Sequence, residues 1–512
     1  MPDTIETLKR RGEVYMAILA AGGYEYTVAM LAVLALGAAA VPIAPAVSAE
    51  EGAYYVLKSH AAVLLASSVD HAKSCLLDEL VRSRSNEQFR TVLIGSFTFT
   101  PTVSAAAMLI SSDRALEEND PSVVIFTSGT TGPPKGAVMR RSFVSDCALS
   151  VADHLGLGED DVMLHVLPVH HATGIGINLF PFLIAGSRIE FRSGSFEEEW
   201  MWERWKEGAL DGRRRLTFFS GVPTIYMRMR RHYQRRLAKL PQRELAEYIA
   251  GARQFRACLC GTSALASPLS DFWAVLLQKQ IFQRYGATEF GAVFMVRLDD
   301  EKAPDGSVGE CVSGVDVKLS VGDEGEVLVR SPYMFSKYLQ DPEATAQAHD
   351  KEGYFRTGDI ARREGTYYYI VGRASLDIIK SGGYKISALD VERELLSLPY
   401  VAEAMVVGVS DAEFGQRVAA LVSLLDEEMT DAFVESHGDS EYLLTIDALR
   451  SDLRARLAGY KMPTLLRIVA GELPKTATGK VQKKVLGPHY FPDDYHPDVQ
   501  QWVRPSRELA KL

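Results

Sequence analysis

The sequence predicts an α/β protein: a large N-terminal domain of helix-covered β-sheets carrying a β-rich subdomain, joined by a hinge to a small α+β C-terminal domain. Three observations predict it. Apolar strand-like runs at 91–94, 123–126, 187–191 and 216–223 alternate with helix-like stretches, the pattern of sheets covered by helices. From about residue 306 the texture changes to short strands and turns (GSVGE, GVDVKLS, GEVLVR), as expected of a smaller β-rich unit. Beyond Arg373 come a Gly-Gly turn, a helix over about 388–398, the strand AMVVGV and a helix over about 446–457, enough chain for a domain of its own. The expected division is therefore 1–372, 373–488 and a tail of 489–512, with no internal repeat.

Composition narrows the class. With 512 residues, 47% hydrophobic and 24% charged, the chain can bury a large core in more than one domain. The formal net charge of −10 is spread along the sequence, so no basic face for nucleic acid stands out. The five cysteines, Cys75, Cys147, Cys258, Cys260 and Cys311, are odd in number and lack metal-ligand spacing, which fits a reducing compartment. Cys258 and Cys260 lie two apart in an apolar strand-like run, so both face one side and read as buried packing. Residues 28–47 carry no charge and reach the length of a membrane span. Pro42 and Pro45 interrupt that run, which reads better as a buried helix leading into a short strand. Glu25 and the polar leader before it argue against a signal peptide.

The densest chemistry follows the 123–126 strand: Thr127-Ser128-Gly129-Thr130-Thr131-Gly132-Pro133-Pro134-Lys135-Gly136. Hydroxyls and glycines at this density offer several donors and exposed backbone N–H groups, which polyphosphate oxygens require. The other common phosphate loop ends in Gly-Lys-Ser/Thr, whereas Lys135 here precedes Gly136.

This string resembles the signature phosphate loop of the adenylate-forming superfamily, which holds acyl-CoA synthetases, peptide-synthetase adenylation domains and luciferases. The resemblance continues in order. Gln283-Arg284-Tyr285-Gly286-Ala287-Thr288-Glu289 is similar to the family's Tyr-Gly-x-Thr-Glu motif, which implies Tyr285 on adenine, Thr288 on phosphate and Glu289 on Mg2+. Those residue types suit the jobs: an aromatic face, a hydroxyl and a carboxylate for a hard cation. Tyr354-Phe355-Arg356-Thr357-Gly358-Asp359 resembles the motif whose Asp binds the ribose, with Arg373 as its companion ligand. The resemblance also assigns Gly261, Thr262 and Ser263 to the nucleotide. Leu473-Pro474-Lys475-Thr476-Ala477-Thr478-Gly479-Lys480 resembles the segment that carries the catalytic lysine.

The membership implies an ATP-dependent acid:CoA ligase that forms acyl-AMP and then an acyl thioester. Attack of a carboxylate on the α-phosphate brings two anions together, so cations are needed where charge accumulates. Lys480, Mg2+ on Glu289 and the loop N–H groups would supply them. The family hinge falls at Ser375. Rotation about it would withdraw Lys480 and present the Gly382-Gly383 loop to CoA.

Within the family, the run from Val371 to Leu389 is especially similar to eukaryotic malonyl-CoA synthetases, as are Leu167-Pro168-Val169-His170-His171 and Gly221-Val222-Pro223-Thr224-Ile225-Tyr226. This likeness places His171 at the acyl pocket and makes Arg228 and Arg284 the partners of a second carboxylate, which needs such compensation once desolvated. Thr173 stands where relatives usually carry a second histidine, so another small acid is open. The helix at Val28 begins much earlier than in typical relatives, and the first elements of the N-terminal domain are expected to be missing. A carrier protein in place of CoA, an oxidase of the luciferase type and a silent nucleotide-binding relative stay as alternatives. Finally, Ala510-Lys511-Leu512 resembles a peroxisomal import tripeptide, which leads to the expectation of a peroxisomal enzyme, otherwise a cytoplasmic one.

Overall fold

The computed structural model describes residues 2–10, 12–84, 89–96, 116–127, 133–299, 303–424, 444–475, 480–492 and 496–502. Two seven-stranded sheets form the N-terminal body. The first runs, edge to edge, Lys337–Tyr338, Lys135–Arg140, Pro121–Thr127, Ala39–Ile43, Tyr15–Leu19, Leu64–Ala66 and Thr91–Leu93. The second runs Glu310–Cys311, Gly291–Met295, Phe282–Ala287, Ala257–Cys260, Phe218–Gly221, Val162–His165 and Arg188–Phe191. Its last five strands are parallel, and α/β proteins place ligands at the carboxyl ends of such strands.

The apolar pattern explains the layers. The uncharged stretch splits into the helix Tyr24–Ala35 and the strand Ala39–Ile43, and among the described residues no helix is long and apolar enough to cross a membrane. Met30 and Val33 of that helix pack into the core between the sheets, with Val123, Ile125, Phe143 and Phe294. The outer face of the second sheet is sealed by Trp202, Trp205 and Trp273 from the helices Glu198–Leu210 and Ser267–Leu277. Cys258 and Cys260 lie in that same cluster, while Leu259 between them faces the opposite one. Their burial pushes both thiols up to about 12, as inert packing thiols require.

The β-rich part is a four-stranded antiparallel sheet, Asp316–Val321, Glu324–Arg330, Phe355–Glu364 and Tyr367–Arg373. Register pairs Asp359 with Arg373 across its last two strands. The C-terminal sheet follows at once, with Ile378–Ser381, Tyr384–Ser387, Glu403–Asp411, Gly415–Leu424, Leu465–Ala470 and Gln500–Gln501. Its two hydrophobic clusters draw their buried residues only from Ile379 onward. The helix Ala388–Leu396 is capped by Ser387, whose hydroxyl accepts from Asp390 N, and the predicted 446–457 helix is shorter, Ile446–Leu453.

Candidate active site

Thr127 ends one strand of a hairpin-like pair and Lys135 begins the next, register partners on either side of the segment expected to be the phosphate loop. Ser128, Gly129, Thr130, Thr131 and Gly132 lie outside the described residues. Lys135 Nζ lies 3.9 Å from Asp341 Oδ2 and 5.3 Å from the centre of the Tyr338 ring. The same Tyr338 donates its hydroxyl to Glu289 Oε1 at 2.9 Å, so the loop base and the motif carboxylate share one aromatic support.

The segment from Tyr285 to Glu289 is built by the turn between Phe282–Ala287 and Gly291–Met295. The turn is tight: a Cβ on Gly286 would fall 2.1 Å from the Gly291 carbonyl oxygen, so only glycine fits. Tyr285 stacks on Phe294 and donates its hydroxyl to Asp359 Oδ2 at 2.8 Å. Arg373 Nε donates to Asp359 Oδ1, also at 2.8 Å. Burial opposes the guanidinium charge of Arg373, but the Asp359 contact outweighs it and its pKa rises. Tyr285, Asp359 and Arg373 thus form one corner, an aromatic face with fixed acceptors and donors beside it. Thr288 sits in the turn above them.

The C-terminal domain delivers Lys480 to this corner. The residue as a whole is exposed, yet its ammonium end is surrounded by protein. The ammonium is close enough to be felt by four groups of the other domain or its border. Removal from water first and the charge of Arg373 second lower its pKa, while Asp359 and Glu289 pull the other way. Lys480 also acts on His171, whose pKa burial first and that charge second bring to about 4. The His170 ring lies beside it, tilted, with ring centres 4.4 Å apart, and drops to about 3, again mainly by burial. Both rings are neutral at pH 7. They come from the loop before Gly174, where a Cβ would lie 2.1 Å from the Pro168 carbonyl oxygen.

On the acyl side the two predicted arginines part company. Arg284 is 9% exposed, and its Nε and Nη2 are buried with no hydrogen-bond partner. Burial lowers its pKa to about 10, leaving it charged at pH 7. Gly261 makes room for it: a Cβ there would sit 2.9 Å from the guanidinium carbon. Arg228, by contrast, is engaged elsewhere. Its Nε lies 2.5 Å from Glu198 Oε1 in a helix-to-helix ion pair and its Nη2 donates to the Phe196 carbonyl at 3.2 Å, so the structure does not present it as an unpartnered guanidinium beside Arg284. Next to Gly261, Thr262 holds φ at +71° and its hydroxyl oxygen is buried without a partner, while Ser263 is exposed. A β-branched residue in the left-handed region marks strain, and strain of this kind gathers at ligand sites.

Gly382 and Gly383 are not brought to this cleft. They make the exposed turn between Ile378–Ser381 and Tyr384–Ser387, with φ of +54° and +84°. Sequence reasoning missed what surrounds them: Tyr384 and Tyr460 stack at 4.3 Å, and both rings, with Phe414, are exposed. Exposed aromatics near a glycine turn carry no local sequence signature, since only the fold brings 384, 414 and 460 together. Tyr338 was missed for the same reason.

Sequence comparison agrees with this geometry. Residues 9–339 match the family model described as AMP-binding enzyme, and residues 390–480 match the AMP-binding enzyme C-terminal domain. The chain belongs to the AMP-binding enzyme family. It is an AMP-forming acyl-CoA ligase by class. A probable CoA ligase, CCL8, from Humulus lupulus is 32% identical over 93% of this chain and 79% of its own length. The malonate–CoA ligase of Arabidopsis thaliana is 31% identical over 92% of this chain and 77% of its own. Among solved structures, a malonyl-CoA ligase in a ternary product complex with methylmalonyl-CoA and AMP is 30% identical, with a TM-score of 0.59 over 92% of this chain and 93% of that one. ATP-bound MatB from Rhodopseudomonas palustris shares the fold at a TM-score of 0.74 and 24% identity, covering 95% and 91%.

Proposed function

We propose that this ligase activates a small dicarboxylic acid of the malonate type. The observation that carries the reading is Arg284: a buried guanidinium with unpartnered N–H groups, one residue before Tyr285 and shielded by a glycine. Leaving such donors unmet is costly, and a substrate carboxylate would meet them. A long apolar acyl chain would not.

In the first half-reaction a substrate carboxylate oxygen bonds to the α-phosphorus of ATP and the bond to pyrophosphate breaks. Lys480 is the cation that reaches both partners, as a point charge on a flexible stem. Asp359 and Arg373 orient the ribose, Tyr285 offers its face to adenine, and Thr288 and the loop from Thr127 to Gly132 hold phosphate oxygens. Glu289 suits Mg2+: Tyr338 fixes one carboxylate oxygen, and Mg2+ typically takes one or two carboxylates plus substrate phosphates. When bound, Mg2+ supplies neutralisation of phosphate charge.

In the second half-reaction the CoA thiol adds to the acyl carbonyl and AMP leaves. The Gly382-Gly383 turn permits close approach of a pantetheine arm, and Tyr384, Tyr460 and Phe414 offer aromatic faces to its nucleotide end. A carrier protein bearing the same arm is the second acceptor this turn would admit. We place the enzyme in peroxisomes on Ala510-Lys511-Leu512, which lie outside the described residues; a fluorescent fusion that stays diffuse with and without this tripeptide would remove that placement.

The test of the substrate reading is Arg284→Ala. It should lower kcat/KM for malonate by about 100-fold, the scale of a lost charged hydrogen bond, with the ATP KM little changed. Unchanged malonate kinetics would end it.

A further inference from the structure

Lys480 sits at the end of a loop whose base is closed by a backbone bridge between Lys475 and Val481. What holds that base decides where the ammonium arrives. From within the C-terminal domain it is held by Glu403, which is 4% exposed. Glu403 Oε2 accepts from Leu473 N at 2.8 Å and Oε1 lies 2.5 Å from Lys475 Nζ. From the other side, Glu472 reaches out of the C-terminal domain and pairs with Arg231 Nη1 at 3.4 Å. Arg231 belongs to the helix Pro223–Arg235 of the N-terminal domain. Its Nη2 is buried without a hydrogen-bond partner, so Glu472 is the anion that compensates a partly desolvated guanidinium. Among the described ion pairs, this is the one that joins residues on opposite sides of Ser375.

We propose that Arg231 and Glu472 are positioning residues for the adenylating half-reaction: an interdomain latch at the base of the lysine loop that selects the orientation in which Lys480 faces Glu289 and Asp359. This rests on the reading that Lys480 serves acyl-AMP formation and is withdrawn for thioester formation. The latch must be weak to be useful. A partly exposed ion pair biases a two-state equilibrium by only a few-fold, so it favours the first orientation without blocking rotation to the second. Between the two anchors, Glu403 moves with Leu473 and Lys475 and keeps them together, while the Arg231 contact breaks and reforms in each cycle.

The two half-reactions separate the latch from a plain structural role. Pyrophosphate release from ATP and malonate, and thioester formation from supplied malonyl-AMP and CoA, are measured for Arg231→Glu, Glu472→Arg and the double reversal. Each single reversal sets like charges face to face. Each should slow pyrophosphate release about fivefold or more. Thioester formation should be unchanged or faster, because the competing orientation is destabilised. The double reversal should restore the pair and most of the first rate. Equal losses in both half-reactions, no effect on pyrophosphate release, or no recovery in the double reversal would each overturn the latch. Lys480→Ala runs in parallel: if it keeps full acyl-AMP formation, the underlying reading falls and takes the latch with it. If Lys480→Ala abolishes that step while the reversals do nothing, the latch alone is wrong.

Discussion

Arg373 faces both domains: its side chain donates to Asp359 Oδ1 at 2.8 Å, and its own backbone N–H donates to Asp377 Oδ2 at 2.9 Å. The corner of Tyr285, Asp359 and Arg373 and the segment that leads to Ser375 are therefore one hydrogen-bonded unit. Asp359 also accepts from Tyr285, so its charge organises two neighbours at once. Asp359→Asn should raise the KM for ATP by about tenfold or more while leaving the KM for the acid nearly unchanged, checked by steady-state kinetics at saturating acid.

The other side of Asp377 meets Lys483 at 2.6 Å, and the same ammonium lies 2.7 Å from Glu392. Each of the three side chains is mostly buried, with 13% of its surface exposed. Burial pushes the Glu392 carboxyl up, whereas the two carboxylates hold Lys483 above its ordinary value despite burial. Lys483→Met would leave two buried carboxylates facing each other. Thermal unfolding should show a loss of about 3 kcal/mol or more, with Lys483→Arg losing much less.

Much of this was readable in the sequence because the informative residues cluster locally. Strand positions followed from short apolar runs, and the corner of Tyr285, Asp359 and Arg373 followed from motifs that each carry their own glycine. Arg228 and Arg284 show where such reading ends. Both are arginines beside a motif, and only packing distinguishes one tied to Glu198 from one left unpartnered against Gly261. The Tyr338 contact to Glu289 and the Arg231 contact to Glu472 join residues far apart in sequence, so no local pattern encodes them.

Acid should weaken the fold through the buried histidines. His165, fully buried and bonded to the Gly174 carbonyl oxygen, falls to about 4, chiefly by burial, in company with His171 at about 4 and His170 at about 3. All three lie below the ordinary histidine value of about 6.5, so the unfolded chain binds more protons than the folded one in between. Their contribution to stability is intact above that value and declines as pH falls toward about 4. Melting temperature should drop steadily from pH 7 to pH 5, and His171→Gln should flatten the slope.

Gly261 is a sensitive test of how Arg284 is housed. An added methyl would meet the guanidinium carbon at 2.9 Å and force it aside. Gly261→Ala should reduce kcat/KM for malonate by about tenfold, the order of a misplaced charged contact, and relatively favour monocarboxylic acids.

We propose that this chain joins a short dicarboxylate to CoA by way of its acyl-AMP. Pyrophosphate release measured across short mono- and dicarboxylic acids, with and without CoA, tests it most directly. Release should depend on the acid and be fastest with malonate, with a small burst without CoA and continued turnover to malonyl-CoA and AMP when CoA is added. Release that ignores the acid, or that is fastest with long-chain or aromatic acids, would contradict it.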